Sequence, residues 1–203
     1  MKSVLIWILA GILGAVLGGV SALVMAGLLP VGPKIGGMVE VGGWTSDWSI
    51  GSQSANPYVR ARVARHGLLA LRKEEAVYFT KTVDDEGKPL REACVYRVEG
   101  GKLPAEWWSI TLYDGKSRLP MNGDGALSFD QTAVAPDNQT DWAFTVARDI
   151  PEAEQDDWVS SRNAGQFDLM LRLYRPSAAF LNAPETMLIP PRISRLSCEK
   201  GRS

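Results

Sequence analysis

The chain has 203 residues, 45% of them apolar and 22% charged, which excludes wholesale disorder and allows one domain plus a short appendage. A formal net charge of −1 leaves no electrostatic footprint for nucleic acid. One histidine and two cysteines are too few for the usual Cys/His zinc site, so no metal and no other cofactor is expected.

Ser3 to Leu29 carries no charge and ends at Pro30. A run of roughly 20 apolar residues crosses a bilayer core, and this one is longer. The core of a cleavable signal peptide is only about 7–15 residues long. Val24-Met25-Ala26 offers a cleavage site, but the length favours an uncleaved anchor over residues 1–30. Lys2 precedes the span and Lys34 is the first charge after it. Positive charge stays on the cytoplasmic side and a long following domain is exported. The expectation is a single-pass protein of a bacterial inner membrane with its carboxyl-terminal domain in the periplasm. Gly14, Gly18, Ala22 and Ala26 form a small-residue face on which two such helices could pair as a homodimer. The alternative is the ordinary glycine and alanine content of membrane helices.

Residues 31–53 are glycine-rich and read as a tether, with a short strand at Met38–Val41. The domain follows over 54–203. NPYVRARVARHG, Asn56 to Gly67, predicts a short helix: Asn56 caps it, Pro57 suits its first position and Gly67 closes it. Arg60, Arg62 and Arg65 either lean on anionic lipid or form a solvated face. His66 is placed to cap the helix end; as a general base it lacks a local nucleophile and an orienting carboxylate.

From Glu74 the pattern changes to strands parted by turns: AVYFTKTV, REACVYRV, EWWSITLY, ALSFDQTAV, WAFTVARD and QFDLMLRLYRP. In the last, Phe167, Leu169, Leu171 and Leu173 share one face and Asp168 and Arg172 the other. Twenty glycines and twelve prolines fit the many turns. The class is all-β, a sandwich or barrel. Phosphate-binding loops, nucleophile elbows and paired histidines at metal spacing are missing, so no catalytic residue is assigned. The acidic clusters Asp84-Asp85-Glu86 and Asp156-Asp157 fall in predicted turns and read as solvated. Asn138-Gln139-Thr140 matches a glycosylation sequon and implies only surface exposure.

In order, NPYVRARVARHGLLAL, EAVYF, DDEGKPL, LPAEWWSITLYD, DDWVSSRNAGQFDLMLRLYRPS and LIPPRISRLSC resemble the bacterial family called domain of unknown function 1214. The resemblance runs from about Asn56 to Cys198 and rests on a dispersed pattern. Asp157-Trp158 departs from the Asn-Trp pair common in the family. The resemblance implies a jelly-roll-like antiparallel β-sandwich and carries no established activity. In longer relatives another domain, domain of unknown function 1254, precedes this one, and a separate envelope protein carrying it is the expected partner here.

LPAEWWSITLYDG places large aromatics on both faces of one strand. Trp108, Ile110 and Leu112 form the apolar set and should face the core, while Trp107, Ser109, Thr111 and Tyr113 face outward. Exposed aromatics imply a covering loop, a ligand or a partner. Two functions follow. One is a non-enzymatic envelope protein docking on a partner; the other is a lipid- or glycan-binding or -hydrolysing protein using Trp107, Tyr113, Asn122, Trp158 and Arg172. Finally, an exported domain meets an oxidising compartment, so Cys94 and Cys198 are expected to pair and to fasten a loose carboxyl tail. The alternative is a buried thiol at Cys94 and an idle one at Cys198.

Overall fold

The structure, a computed structural model, describes residues 2–25, 37–51, 57–58, 60, 71–150 and 157–199. Of the helix expected over Asn56–Gly67 only Pro57, Tyr58 and Arg60 are described, all three helical; its remainder, with His66, and the residues before Gly37 that were read as tether lie outside them. Helix α1, Lys2–Met25, holds a stretch, Ile6–Met25, long and apolar enough to cross a membrane. The large apolar side chains described between Val4 and Leu23 are exposed, as a lipid-facing surface requires.

Among the described residues ten strands follow: β1 (Met38–Val41), β2 (Trp44–Asp47), β3 (Ala76–Lys81), β4 (Cys94–Gly100), β5 (Ala105–Asp114), β6 (Ser128–Asp130), β7 (Trp142–Ala147), β8 (Trp158–Ser160), β9 (Phe167–Pro176) and β10 (Arg192–Cys198). One sheet has the order β1-β2-β3-β9-β5-β6 and the other β10-β4-β7-β8. The fold is thus mostly β in two sheets, but not wholly antiparallel, because β8 pairs parallel with β7. Two short helices, α2 (Ala178–Asn182) and α3 (Pro184–Met187), join β9 to β10. Ser177 caps the first by accepting the Phe180 amide, and Pro184 opens the second.

Alternation dictates the core. Leu169, Leu171 and Leu173 of β9 are fully buried beside Trp108, Ile110 and Leu112 of β5, in register as Leu173 with Trp108 and Leu171 with Ile110. Val77 and Phe79 of β3 extend this face on the other side of β9. The second sheet brings Tyr96, Val98, Phe144 and Val146 into the same core. The layers meet where the indoles of Trp108 and Trp142 stack with centroids 4.3 Å apart.

Three expectations are corrected. Much of the region read as tether is a hairpin, because Gly42 and Gly43 both take positive φ (57° and 81°), as a tight two-residue turn demands, and Trp44 is buried. The indole Nε1 of Trp44 donates to the Pro191 carbonyl at 2.8 Å. Arg192–Cys198, read as leading into a loose tail, forms β10 against β4. Asp84 and Asp85 are not a solvated pair. Asp84 Oδ1 accepts the Glu86 and Lys88 amides, and its Oδ2 lies 2.7 Å from Arg195 Nη2, an ion pair off the hydrogen-bonding axis. Asp85 takes the buried Lys81 ammonium at 2.7 Å and the Ile193 amide at 3.1 Å. The acidic turn therefore pins the last strand.

Trp108→Ala is expected to lower stability by about 3–5 kcal/mol and Trp107→Ala by clearly less, because only the first empties the core. Equal losses in thermal melts would mean that both indoles are core. Lys81→Met, which strands Asp85, is expected to cost about 2–3 kcal/mol. Lys88→Met, at an exposed pair with Glu86, should cost less than about 1 kcal/mol. Denaturant titration of both variants checks the ranking.

Candidate functional site

The outer face of the six-stranded sheet concentrates the chemistry. Register pairs Trp107 with Tyr174, Ser109 with Arg172, Thr111 with Met170 and Tyr113 with Asp168, while Tyr78 of β3 flanks Arg172 from the other side. These side chains are half-buried, apart from the buried Ser109 and Thr111. Trp107 and Tyr174 lie with ring centroids 5.1 Å apart. The Arg172 guanidinium sits 5.7 Å from the Tyr113 ring and donates through Nη2 to the Tyr113 hydroxyl, while its Nε is buried without a hydrogen-bond partner.

Asp168 is the most perturbed group described. Burial, followed by the negative charge of Asp114, pushes its carboxyl up to about 7, and its Oδ1 is buried without a hydrogen-bond partner. Tyr78 is pushed up as well, first by burial and then by Tyr174, with Arg172 opposing. Asp168, Tyr174 and Tyr78 were not among the sequence candidates. The alternation in QFDLMLRLYRP and AVYFTK already places them beside Arg172.

The five candidates fall into two groups. Trp107, Tyr113 and Arg172 share this face. Trp158 and Asn122 lie at β8 in the other sheet: Trp158 Nε1 donates to the Ala147 carbonyl at 3.0 Å and Asn122 Nδ2 to the Arg162 carbonyl at 2.9 Å. Around Asn122, Asp124 Oδ2 accepts from Ser160 at 2.6 Å and Arg162 at 3.1 Å, and Arg162 reaches Asp149 at 2.9 Å. That network ties a loop to β8. A third feature is an open groove of about 460 Å³ lined by Arg91, Glu92, Ala93, Arg148, Gln166 and Glu199, none of them aromatic. Among the described residues no group of three His, Cys, Asp or Glu is placed to hold a metal ion.

The raised carboxyl of Asp168 makes a signed prediction. The folded chain holds this proton up to about pH 7, whereas an unfolded Asp loses it near pH 3.9. Between those values the native state binds more protons, so this group's contribution to stability falls as pH rises and levels off above about 7. Asp168→Asn should therefore gain on the wild type in thermal melts between pH 4 and pH 8, by on the order of a few kcal/mol. The same difference at both pH values would show an ordinary carboxyl.

No curated protein matches the chain. Among solved structures, the VPA0106 protein from Vibrio parahaemolyticus is similar, with a TM-score of 0.56 and 18% identity over 71% of this chain. This chain spans only 36% of that one. A putative uncharacterized protein from Burkholderia cenocepacia has a TM-score of 0.38 and 18% identity, covering 64% of this chain and 31% of its own. At such identities the likeness to the Vibrio protein concerns the fold. Residues 75–178, just over half of the sequence, match the family described as Protein of unknown function (DUF1214), and the chain belongs to that family.

Proposed function

We propose that this protein is a non-enzymatic component of the bacterial cell envelope, held at the inner membrane by α1 with its β-domain in the periplasm, and that it docks on a separate protein carrying domain of unknown function 1254. The observation that carries this reading is the share of chain: the domain spans 36% of the Vibrio protein it resembles, so there the same fold sits within a much longer chain. A domain that elsewhere works beside further chain has a reason to present a contact surface here. The outer face of the six-stranded sheet supplies one, since tryptophan, tyrosine and arginine are the residues that dominate protein interfaces. Trp107, Tyr174, Tyr113 and Arg172 gather there.

The membrane side of the proposal is supported by the exposed apolar length of α1 and by Lys2 at its start. Consecutive strands β3, β4 and β5 alternate between the two sheets, as do β9 and β10, which supports a jelly-roll-like description.

Co-expression with an exported protein carrying domain of unknown function 1254 from the same genome, followed by crosslinking of intact cells, tests the reading. The expected result is a crosslinked pair in the membrane fraction that Trp107→Asp weakens at least about tenfold, the loss of one interface anchor. A wild-type chain that stays monomeric beside that partner would overturn it.

A further inference from the structure

We propose that the Cys94–Cys198 disulfide is a redox-operated latch: thiol attack at Cys198 opens it, freeing Leu196–Glu199 and with them one wall of the neighbouring groove. The bond joins register partners on β4 and the edge strand β10 and closes 104 residues of sequence. The two halves of β10 are held differently. In the first half, Ile193 is fully buried and its amide is taken by Asp85, and Arg195 meets both Asp84 and the Tyr96 ring. A bulge then breaks the register between Arg195 and Ser197. Beyond it Leu196, Ser197, Cys198 and Glu199 are all exposed. Backbone pairing to β4, the Glu199 amide on the Ala93 carbonyl at 2.8 Å and the disulfide are what the structure shows holding them.

The same residues shape the groove. Ala93 precedes one cysteine, Glu199 follows the other, and both line it together with Arg91, Glu92, Arg148 and Gln166. In the same groove as Glu199, Arg148 Nε stands 3.9 Å from both Glu92 and Asp149, too far for a hydrogen bond to either. Opening the latch thus moves a wall that bears a carboxylate beside a loosely held cation.

Access sets the direction of exchange. Cys198 is exposed and Cys94 is 4% exposed. A thiolate of a dithiol oxidoreductase attacks Sγ of Cys198, forming a mixed disulfide while the Cys94–Cys198 bond breaks. Cys94 leaves as a thiolate and takes up a proton. The second thiol of the reductant then attacks the mixed disulfide and releases Cys198 as a thiolate, so the protein cystine is reduced to two thiols and the dithiol is oxidised to its disulfide. The proposal relies on export only for where the reductant is met; its test uses the purified full-length chain in detergent and is independent of partner or compartment.

Hydrogen exchange is compared for oxidised protein and protein reduced with dithiothreitol. Faster exchange confined to Leu196–Glu199, with β4 and Ile193 still protected, is the expected result. Loss of protection throughout β4 and β10, or no change at Leu196–Glu199, would overturn the latch. Reaction with glutathione disulfide tests the point of attack. Cys198 in Cys94→Ser should be modified at least about tenfold faster than Cys94 in Cys198→Ser, and equal rates would overturn the assignment.

Discussion

The contact on which the other packing depends is the flat approach of the Trp142 indole to Gly100. The two residues are partners across β4 and β7, and a Cβ built on Gly100 would come within 2.4 Å of a Trp142 ring carbon. Only a residue without a side chain lets the indole lie there, which is a close-approach role for glycine within a strand. So placed, Trp142 donates its Nε1 to the Gly101 carbonyl at 2.8 Å, leaving the ring free to stack on Trp108 of the opposite sheet. Phe129 and Phe144 continue the aromatic layer with centroids 4.6 Å apart. Shape and a satisfied polar atom together fix how the two layers meet.

That contact also fixes which way β5 faces. Side chains alternate along a strand, so a slip of one residue would send Trp108, Ile110 and Leu112 outward and bring Ser109 and Thr111 in. With Trp108 held between the layers, β9 must pair as Leu173 with Trp108 and Leu171 with Ile110. The outer row then follows without further choice: Trp107 beside Tyr174, Tyr113 beside Asp168, and Arg172 between Ser109 and Tyr78. The perturbed carboxyl of Asp168 is a consequence of the same register, since it seats the side chain on a central strand near Asp114.

What was legible in the sequence is what alternation and turn chemistry encode. QFDLMLRLYRP and EWWSITLY announce which side chains face the core and which the outer face, and those faces are the ones observed, although Ser109 and Thr111 are buried on the outer one. The pairing of Cys94 with Cys198 was expected from an even cysteine count and an expectation of export, and a disulfide joins the two. What stayed hidden depends on contacts far apart in the chain. WVS is too short to read as a strand until β7 lies beside it, and RISRLSC lacks clear alternation because a bulge interrupts it. The acidic turn looked solvated because two of its partners, Ile193 and Arg195, are supplied by the last strand, more than a hundred residues on. Trp158 and Asn122 were grouped with Trp107 by residue type, and type says nothing about which sheet a residue joins.

The two fastenings of β10 respond to different variables. Burial raises the Asp85 carboxyl, but the Lys81 ammonium, the Ile193 amide and Arg192 outweigh it and hold the group below its usual range. Because the folded value is depressed, the stability it contributes is full above the ordinary carboxylate range and is lost only as pH falls through the lowered value. The first half of the strand is therefore insensitive to mild acid and contains no thiol. The second half hangs on a covalent bond that acid leaves intact and a dithiol breaks. An edge strand divided in this way can release its end without surrendering Ile193 to solvent, and the bulge at Leu196 is where the two regimes meet.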